Sequence, residues 1–405
     1  MFFLLIPGSL LGLSLLLAYT GMSFPVAAMP AYVHGMFQLN GFFMVLIWGF
    51  LAHGFPGMLG GSHSHTRHIH RPLLAMAILL GLVWLHGWLS APVGILWLLL
   101  AAGFCCSLWV TWLLAKVVPG ANRRWTQHPL PFLVVPLLLS PVYWLLLGAA
   151  ASGVIRPVVA SDFMLFGIVL PIILTMAYRM LSPMAGTVFP DTRYFVVAAF
   201  LWTIGVGLWL SSLVWGTQAI VSSVFLLAGA VGFTISLGIF APRRQEGRKA
   251  QPQQIDQALL LYIRVAFGFL VLGQGLHLLT SLGILPGIQH YWLDVTRHFI
   301  VVGFGFVVVA GITQRVFPTF LRGRRSSPLW MLVNLVLVVV GLLLRLGEPF
   351  LPAAPALVRV SAAMLYAGIF GYAVHLLRGA LLPSVTALHP IERIRKATPP
   401  PESTP

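Results

Sequence analysis

Long apolar segments separated by short loops constrain this chain more than any other feature. A segment of about 20 apolar residues crosses a bilayer as a helix, because only a helix or a closed barrel satisfies its backbone hydrogen bonds there. The chain is 59% hydrophobic and 8% charged, outside the range of soluble domains. We therefore predict an all-α integral membrane protein with about twelve transmembrane helices. The predicted spans are 2–20, 32–59, 72–90, 93–117, 129–151, 161–182, 194–215, 217–240, 257–283, 298–318, 328–347 and 353–380.

Most Lys and Arg residues fall in short loops on one side of this predicted bundle. The formal net charge is +16, from 24 Lys and Arg against 8 Asp and Glu. In a soluble protein this excess would suggest nucleic-acid binding, but in a polytopic membrane protein it marks the cytoplasmic loops. We expect the lipid bilayer as the main partner and no nucleic-acid partner. We also expect both termini in the cytoplasm and a bacterial-type inner membrane as the location.

The loops are too short to form a soluble domain. We expect a single polytopic domain over residues 1–380, in which the polar loop 241–256 is the best candidate for a break. Residues 381–405 end in a Pro-rich, charge-poor sequence, which predicts a cytoplasmic, partly disordered tail. The first apolar stretch has no charged leader, so we interpret it as a retained helix.

The second, sixth and tenth predicted helices share a pattern: a glycine, and twelve residues later a cationic or imidazole residue. The pairs are Gly41 with His53, Gly167 with Arg179 and Gly303 with Arg315, each followed by proline and glycine. A pattern that returns every fourth helix predicts three four-helix repeats. Since the chain contains 40 Gly and 29 Pro, coincidence is the alternative.

Four histidines are predicted at one depth near the periplasmic surface: His34, His86, His277 and His298. An ionisable group in a bilayer is costly and is a functional candidate by default. A haem takes one or two imidazoles as axial ligands in an apolar pocket. We therefore predict a haem of unspecified type held by His34 and His298, with His277 or His86 as substitutes or supporting groups. The alternative is that each ring faces lipid headgroups or forms internal hydrogen bonds.

Two of these histidines share their sequence context. His34 and His298 are each followed, after six residues, by Gly-Phe, at Gly41-Phe42 and Gly305-Phe306. His53 belongs to another site, since it lies about 28 Å along the helix from His34 and cannot bind the same metal.

A second histidine cluster follows the second helix, in the sequence HSHTRHIH. Alternate imidazoles in a short polar segment can bind copper, zinc or nickel. The predicted metal ligands are His63, His65, His68 and His70, with copper as one candidate. A solvated cytoplasmic loop is the alternative, because the run contains no acidic residue or cysteine to fix a coordination geometry.

Arg264 and Arg345 lie within or at the ends of predicted helices and are expected to need partners. Asp162 is expected to cap the sixth helix, or else to accept a hydrogen bond from a ligating imidazole or lie near a propionate. Asp294 and Arg297 are expected to meet a propionate or each other. Arg345 and Glu348 are three residues apart and can pair on one helix face.

Three segments resemble parts of the NnrS family. They are the second helix from His34 to Gly60, the sixth helix LFGIVLPIILTMAYRMLSP, and the tenth helix HFIVVGFGFVVVAGITQRVFPTFLRGR. The resemblance implies a twelve-helix membrane protein that binds haem and copper and is linked to nitric oxide and denitrification. Met36 and Phe37 stand where this family has a second histidine and a glutamate. The chain is therefore identified as a divergent member.

The chain is more distantly similar to subunit I of haem-copper oxidases, whose haem ligands lie on the second and tenth helices. His34 and His298 occupy comparable places. The double histidine that those enzymes carry in the tenth helix is missing, because Phe299 and Ile300 follow His298. We therefore expect no oxygen or nitric oxide reductase turnover, and we predict no catalytic residue.

The leading hypothesis is a haem-binding inner-membrane protein with a nitric-oxide-related role in binding, sensing or protection from nitrosative stress. One alternative is a transporter with a central path lined by Arg264, Gln274 and Arg345. Another is a non-catalytic subunit of a membrane oxidoreductase. The chain has no phosphate-binding loop, nucleophile elbow or HExxH motif, so the sequence offers no hydrolytic or nucleotide-driven site.

Overall fold

The computed structural model describes residues 9–14, 16–17, 20–22, 31–59, 68–89, 93–116, 131–185, 190–216, 219–241, 257–320, 327–351 and 354–381. Every regular element in these ranges is helical. Nine of the described helices are long and apolar enough to cross a membrane. A tenth span is added if Pro131–Leu139 and Val142–Ala151, which meet at a bend of 41°, count as one. The prediction of an all-α, multi-pass membrane protein is confirmed.

Besides the bent pair at 131–151, two of the twelve predicted spans are not confirmed in full. The third predicted span forms the helix His70–Leu89, whose apolar described part, His70–Val83, is shorter than a membrane crossing. The first predicted span is described at residues 9–14 and 16–17, which are helical, and at residue 20, which lies in a turn. The predicted break and tail fall almost entirely on residues 242–256 and 382–405, which lie outside the described residues.

Three helices form the centre of the bundle. We name them the His34 helix (residues 31–59), the Asp162 helix (157–185) and the His298 helix (289–320). Their membrane spans are 72%, 78% and 78% buried, whereas the other single spans are between 39% and 50% buried. The surrounding helices are His70–Leu89, Val93–Ala115, Pro131–Leu139, Val142–Ala151, Thr192–Trp215, Ala219–Ser236, Gln257–Ser281, Pro328–Leu344, a 3₁₀ turn at Arg345–Phe350, and Pro355–Leu381.

Each central helix contains a π-helical segment, at Phe37–Met44, Phe163–Val169 and Phe299–Phe306. Wider π turns are rare and concentrate at functional sites, because they turn the side chains on either side to new directions. The three segments include the glycine-bearing parts of the proposed repeat. Each of them also contributes residues to the wall of the main cavity.

The His298 helix packs closely against Gln257–Ser281 because glycines remove side chains from the interface. A Cβ atom on Gly303 would lie 2.6 Å from Phe269 Cγ, and one on Gly273 would lie 2.7 Å from Ile300 Cγ1. Farther along, a Cβ on Gly311 would lie 2.9 Å from Tyr262 Cβ. Residue numbers rise on one helix as they fall on the other, so the two helices are antiparallel. This register also places Thr296 at the level of His277.

Candidate functional site

The three central helices line a cavity of about 330 Å³, to whose wall the helical residues 9–14 and Pro355–Leu381 also contribute. Apolar surface forms most of its wall, with leucine, valine and phenylalanine as the commonest apolar residues. Its main polar groups are His34, Asp162, Asp294, Arg297, His298 and Arg345. An apolar cavity with a few convergent polar groups is typical of a small-molecule or cofactor site.

His34 and His298 meet at this cavity. Their ring centroids are 6.4 Å apart and their ring planes differ by 12°. The Gly-Phe elements that follow them also meet, since the ring centroids of Phe42 and Phe306 are 6.0 Å apart. The two similar sequence patterns on the second and tenth predicted helices therefore face each other across the bundle.

The ring of His298 is held by its own helix. Its Nδ1 atom lies 2.9 Å from the Asp294 carbonyl oxygen. A carbonyl can only accept, so Nδ1 carries the proton in this bond, which leaves Nε2 as the nitrogen able to bind a metal. The ring of His34 packs on Gly12, where a Cβ atom would come within 2.4 Å of Cε1 and 3.0 Å of Nε2. Gly12 thus provides the space in which the His34 ring lies.

A buried ion pair forms one side of the cavity. Arg297 Nε lies 2.9 Å from Asp162 Oδ1, and Arg297 Nη2 lies 3.0 Å from Asp162 Oδ2. Trp209 Nε1 also donates to Asp162 Oδ2, at 3.0 Å. The Asp162 carboxylate makes no capping hydrogen bond, so its predicted role as a helix cap is wrong. Its oxygens instead accept hydrogen bonds from the Arg297 guanidinium and the Trp209 indole inside the bundle.

A second ion-pair group lies beside the first. Arg345 Nη2 donates to Asp294 Oδ2 and to Glu348 Oε2, and both Arg345 and Glu348 are almost fully buried. The predicted pairing of Arg345 with Glu348 is confirmed. Arg297 and Asp294 have these other partners, each on a different element. Buried charges need such partners because desolvation is costly.

His277 lies behind the cavity wall and does not line it. The ring centroid of Trp209 is 4.3 Å away at an interplanar angle of 87°, and that of Phe166 is 6.4 Å away at 10°. Trp209 stands between His277 and Asp162. The geometry therefore fits His277 as a supporting group better than as a direct ligand.

The other predicted histidine ligands that the structure describes do not line this cavity. His86 is half-buried near the end of His70–Leu89 and is not among the residues that line the cavity. His63 and His65 lie outside the described residues. His68 is half-buried in a turn, and His70 is exposed at the start of its helix. In the described ranges no group of three or more potential metal-binding residues occurs.

The residues suggested for a transport path do not lie together. Arg345 lines the cavity and Gln274 is buried outside it. Arg264 is exposed, and its Nε donates to the Ile239 carbonyl at 3.3 Å.

Gly12 and Trp209 are site residues that the sequence did not predict, because a single glycine or tryptophan in an apolar helix gives no local signal of what it contacts.

In the comparisons with known proteins, no family model matches the chain and no curated protein shows significant similarity to it.

Proposed function

We propose that the chain is a haem-binding membrane protein in which His34 and His298 are the axial ligands. The observation that carries this proposal is the pair of nearly parallel imidazoles, 6.4 Å apart, on the wall of one apolar cavity. Two imidazoles that bind one metal ion on opposite sides, with metal–nitrogen bonds of about 2.0–2.1 Å, have ring centroids roughly 6 Å apart. The observed centroid separation matches this distance, and the proposal adds that one nitrogen of each ring faces the ion.

The cavity also suits an acidic, largely apolar macrocycle. Its volume of about 330 Å³ lies in the range of small-molecule sites. Arg297 and Arg345 stand on its wall, where guanidinium groups can receive propionates. The Nε atom of Arg345 has no hydrogen-bond partner among the described residues. This buried donor supports the presence of a further acceptor at this side of the cavity.

When bound, a haem supplies an iron centre for electron transfer or for binding diatomic gases. The chain's own residues hold and tune this centre. Asp294 orients His298 through Nδ1, the phenylalanine side chains exclude water, and the two ion-pair groups fix the polar side of the cavity. A nitric-oxide-related role, in binding, sensing or protection, rests on the resemblance to NnrS proteins and on the apolar wall that a small neutral gas can reach.

The proposal extends to the architecture and orientation. Twelve spans in three four-helix repeats would place the three central helices at equivalent positions, and their three π-helical segments support this arrangement. The positive charges favour cytoplasmic termini and a bacterial inner membrane. His34 and His298 would then lie near the periplasmic side.

Copper binding at residues 63–70 is a separate proposal. Its test compares the copper content of the purified protein with that of a deletion variant lacking these residues.

The test is the absorption spectrum of the detergent-purified protein with a pyridine haemochrome assay. We expect a Soret band that His34→Ala and His298→Ala each shift or abolish, because each removes one axial ligand. His375→Ala is the matched control: it removes a half-buried histidine that contacts Trp330 and does not line the cavity.

Two outcomes would contradict the proposal. A haem-supplemented preparation with no Soret band rejects the haem. A Soret band that persists unchanged in both ligand variants, but is lost in His86→Ala or His277→Ala, rejects the ligand assignment and keeps the haem.

A further inference from the structure

Three buried polar side chains lie within about one turn of each other along the packed pair formed by Gln257–Ser281 and the His298 helix. Gln274, His277 and Thr296 are 0%, 2% and 2% exposed. Among the described residues, both amide atoms of Gln274, Nδ1 of His277 and Oγ1 of Thr296 have no hydrogen-bond partner. Gln274 and His277 are three residues apart and share one helix face. The antiparallel register brings Thr296 to the level of His277.

Four unpartnered polar atoms within about one turn of a helix pair require an explanation. A buried polar group without a partner is costly, and more so in a membrane protein, where lipid offers no hydrogen bonds. Folded proteins satisfy nearly all such groups, with ordered water where no protein group reaches them. Gly273 brings the two helices close together here, so the side chains cannot turn out to solvent.

We propose that a small cluster of ordered water molecules is bound between Gln274, His277 and Thr296. The three side chains determine the class of ligand. A hydroxyl, an amide and an imidazole each donate and accept, which matches water. None of the three is a carboxylate or a thiolate, so a metal cation would find no opposite charge among them.

The bound water positions the wall of the cavity. Hydrogen bonds to Nδ1 fix the His277 ring, which packs edge-to-face against Trp209. Trp209 donates to Asp162, and Asp162 holds Arg297 at the cavity. The bound water therefore stabilises the Asp162–Arg297 ion pair through His277 and Trp209. This role of the water does not depend on whether the cavity binds a haem.

The first test measures the sign of a stability change. Thr296→Val keeps the side-chain shape and removes the hydroxyl. If water binds this hydroxyl, we expect the apparent Tm in detergent to fall by about 1–2 °C, because the Tm shift caused by losing one such interaction decreases as chain length increases, and this chain has 405 residues. Thr313→Val is the reference for a satisfied buried hydroxyl, since Thr313 Oγ1 contacts the Val309 carbonyl and the Tyr372 hydroxyl, both at 2.7 Å. An unchanged or higher Tm for Thr296→Val overturns the proposal.

The second test uses the unmodified protein. Synchrotron radiolysis of internal water produces hydroxyl radicals that label the side chains beside it, however buried they are. We expect labelling of His277 above that of Trp144, which is 1% exposed and donates to Ser107 Oγ at 2.8 Å. Tryptophan reacts faster than histidine with these radicals, so the expected order requires water at His277. Labelling of Trp144 alone, or of neither ring, overturns the proposal.

Discussion

At the scale of single residues, the buried charges show that sequence neighbours are not always partners. Asp294 and Arg297 stand three residues apart in the chain, yet Arg297 binds Asp162 of another helix while Asp294 receives Arg345. The His298 ring takes the remaining acceptor at this turn, the Asp294 carbonyl. Asp162, Asp294, Arg297 and Arg345 thus each reach an opposite charge on a different element, and the cavity wall depends on all four.

Replacing Asp162 tests this dependence. Asp162→Asn keeps the shape of the side chain but leaves the Arg297 guanidinium without its counter-charge, which we expect to cost about 3 kcal/mol of stability. The measurement is thermal unfolding in detergent. Asp191→Asn is the matched control: Asp191 is exposed and caps Thr192–Trp215 by accepting from Arg193 N at 2.8 Å, and asparagine caps equally well. Equal losses in the two variants would show that Asp162 has no special role.

The substitution Gly12→Ala tests where the His34 ring lies. Gly12→Ala puts a methyl group where ring atoms lie, so the ring must move. Because the moving atoms are at the end of a side chain, we expect a shifted or weakened Soret band with little loss of thermal stability. Gly81→Ala is the control, since nothing lies within 4 Å of its added Cβ. An unchanged spectrum in Gly12→Ala would mean that His34 can ligate from another position.

At the scale of elements, glycine determines which helices approach closely. The π-helical segment of the His298 helix carries Gly303 and Gly305, which receive the rings of Phe269 and Phe43. The sequence pattern predicted glycines of special importance in this helix. It could not say which neighbour each glycine admits, because that depends on the rotation of two helices about their axes.

Gly303→Ala tests this contact. A Cβ atom there would lie 2.6 Å from Phe269 Cγ and 2.8 Å from Phe269 Cβ. Since an atom so near the backbone cannot easily move, we expect a loss of about 1–3 kcal/mol from overpacking. Gly268→Ala, which has open space around the new methyl group, should be neutral or slightly stabilising. Thermal unfolding of both variants measures the difference, and a Gly303→Ala protein as stable as the control would contradict the packing.

At the scale of the whole molecule, the three central helices differ from the surrounding helices in how much apolar surface they expose. The central spans are mostly buried, whereas the surrounding spans present apolar side chains to the lipid. Outer spans keep many large apolar side chains exposed, among them Leu98, Phe200 and Leu329. In a soluble protein such surfaces would cause aggregation. Here they are the surface that the bilayer solvates.

The proposed orientation predicts which loops are reached from each side of the membrane. In a background of Cys105→Ser and Cys106→Ser, we expect Gln251→Cys to react with an impermeant thiol reagent only from the cytoplasmic side. Ile288→Cys, in the connection before the His298 helix, should react only from the periplasmic side. Labelling of both positions from the same side would refute the proposed topology.

The sequence by itself determined the membrane class and most of the helices, because hydropathy and the length of an apolar segment are local properties. It also singled out His34 and His298 by their shared context. Only the tertiary structure decided that these two rings meet, that His277 and His86 lie elsewhere, and that Asp162 pairs with Arg297. These outcomes depend on helix rotation and on the space that residues such as Gly12 leave, which many distant side chains fix together.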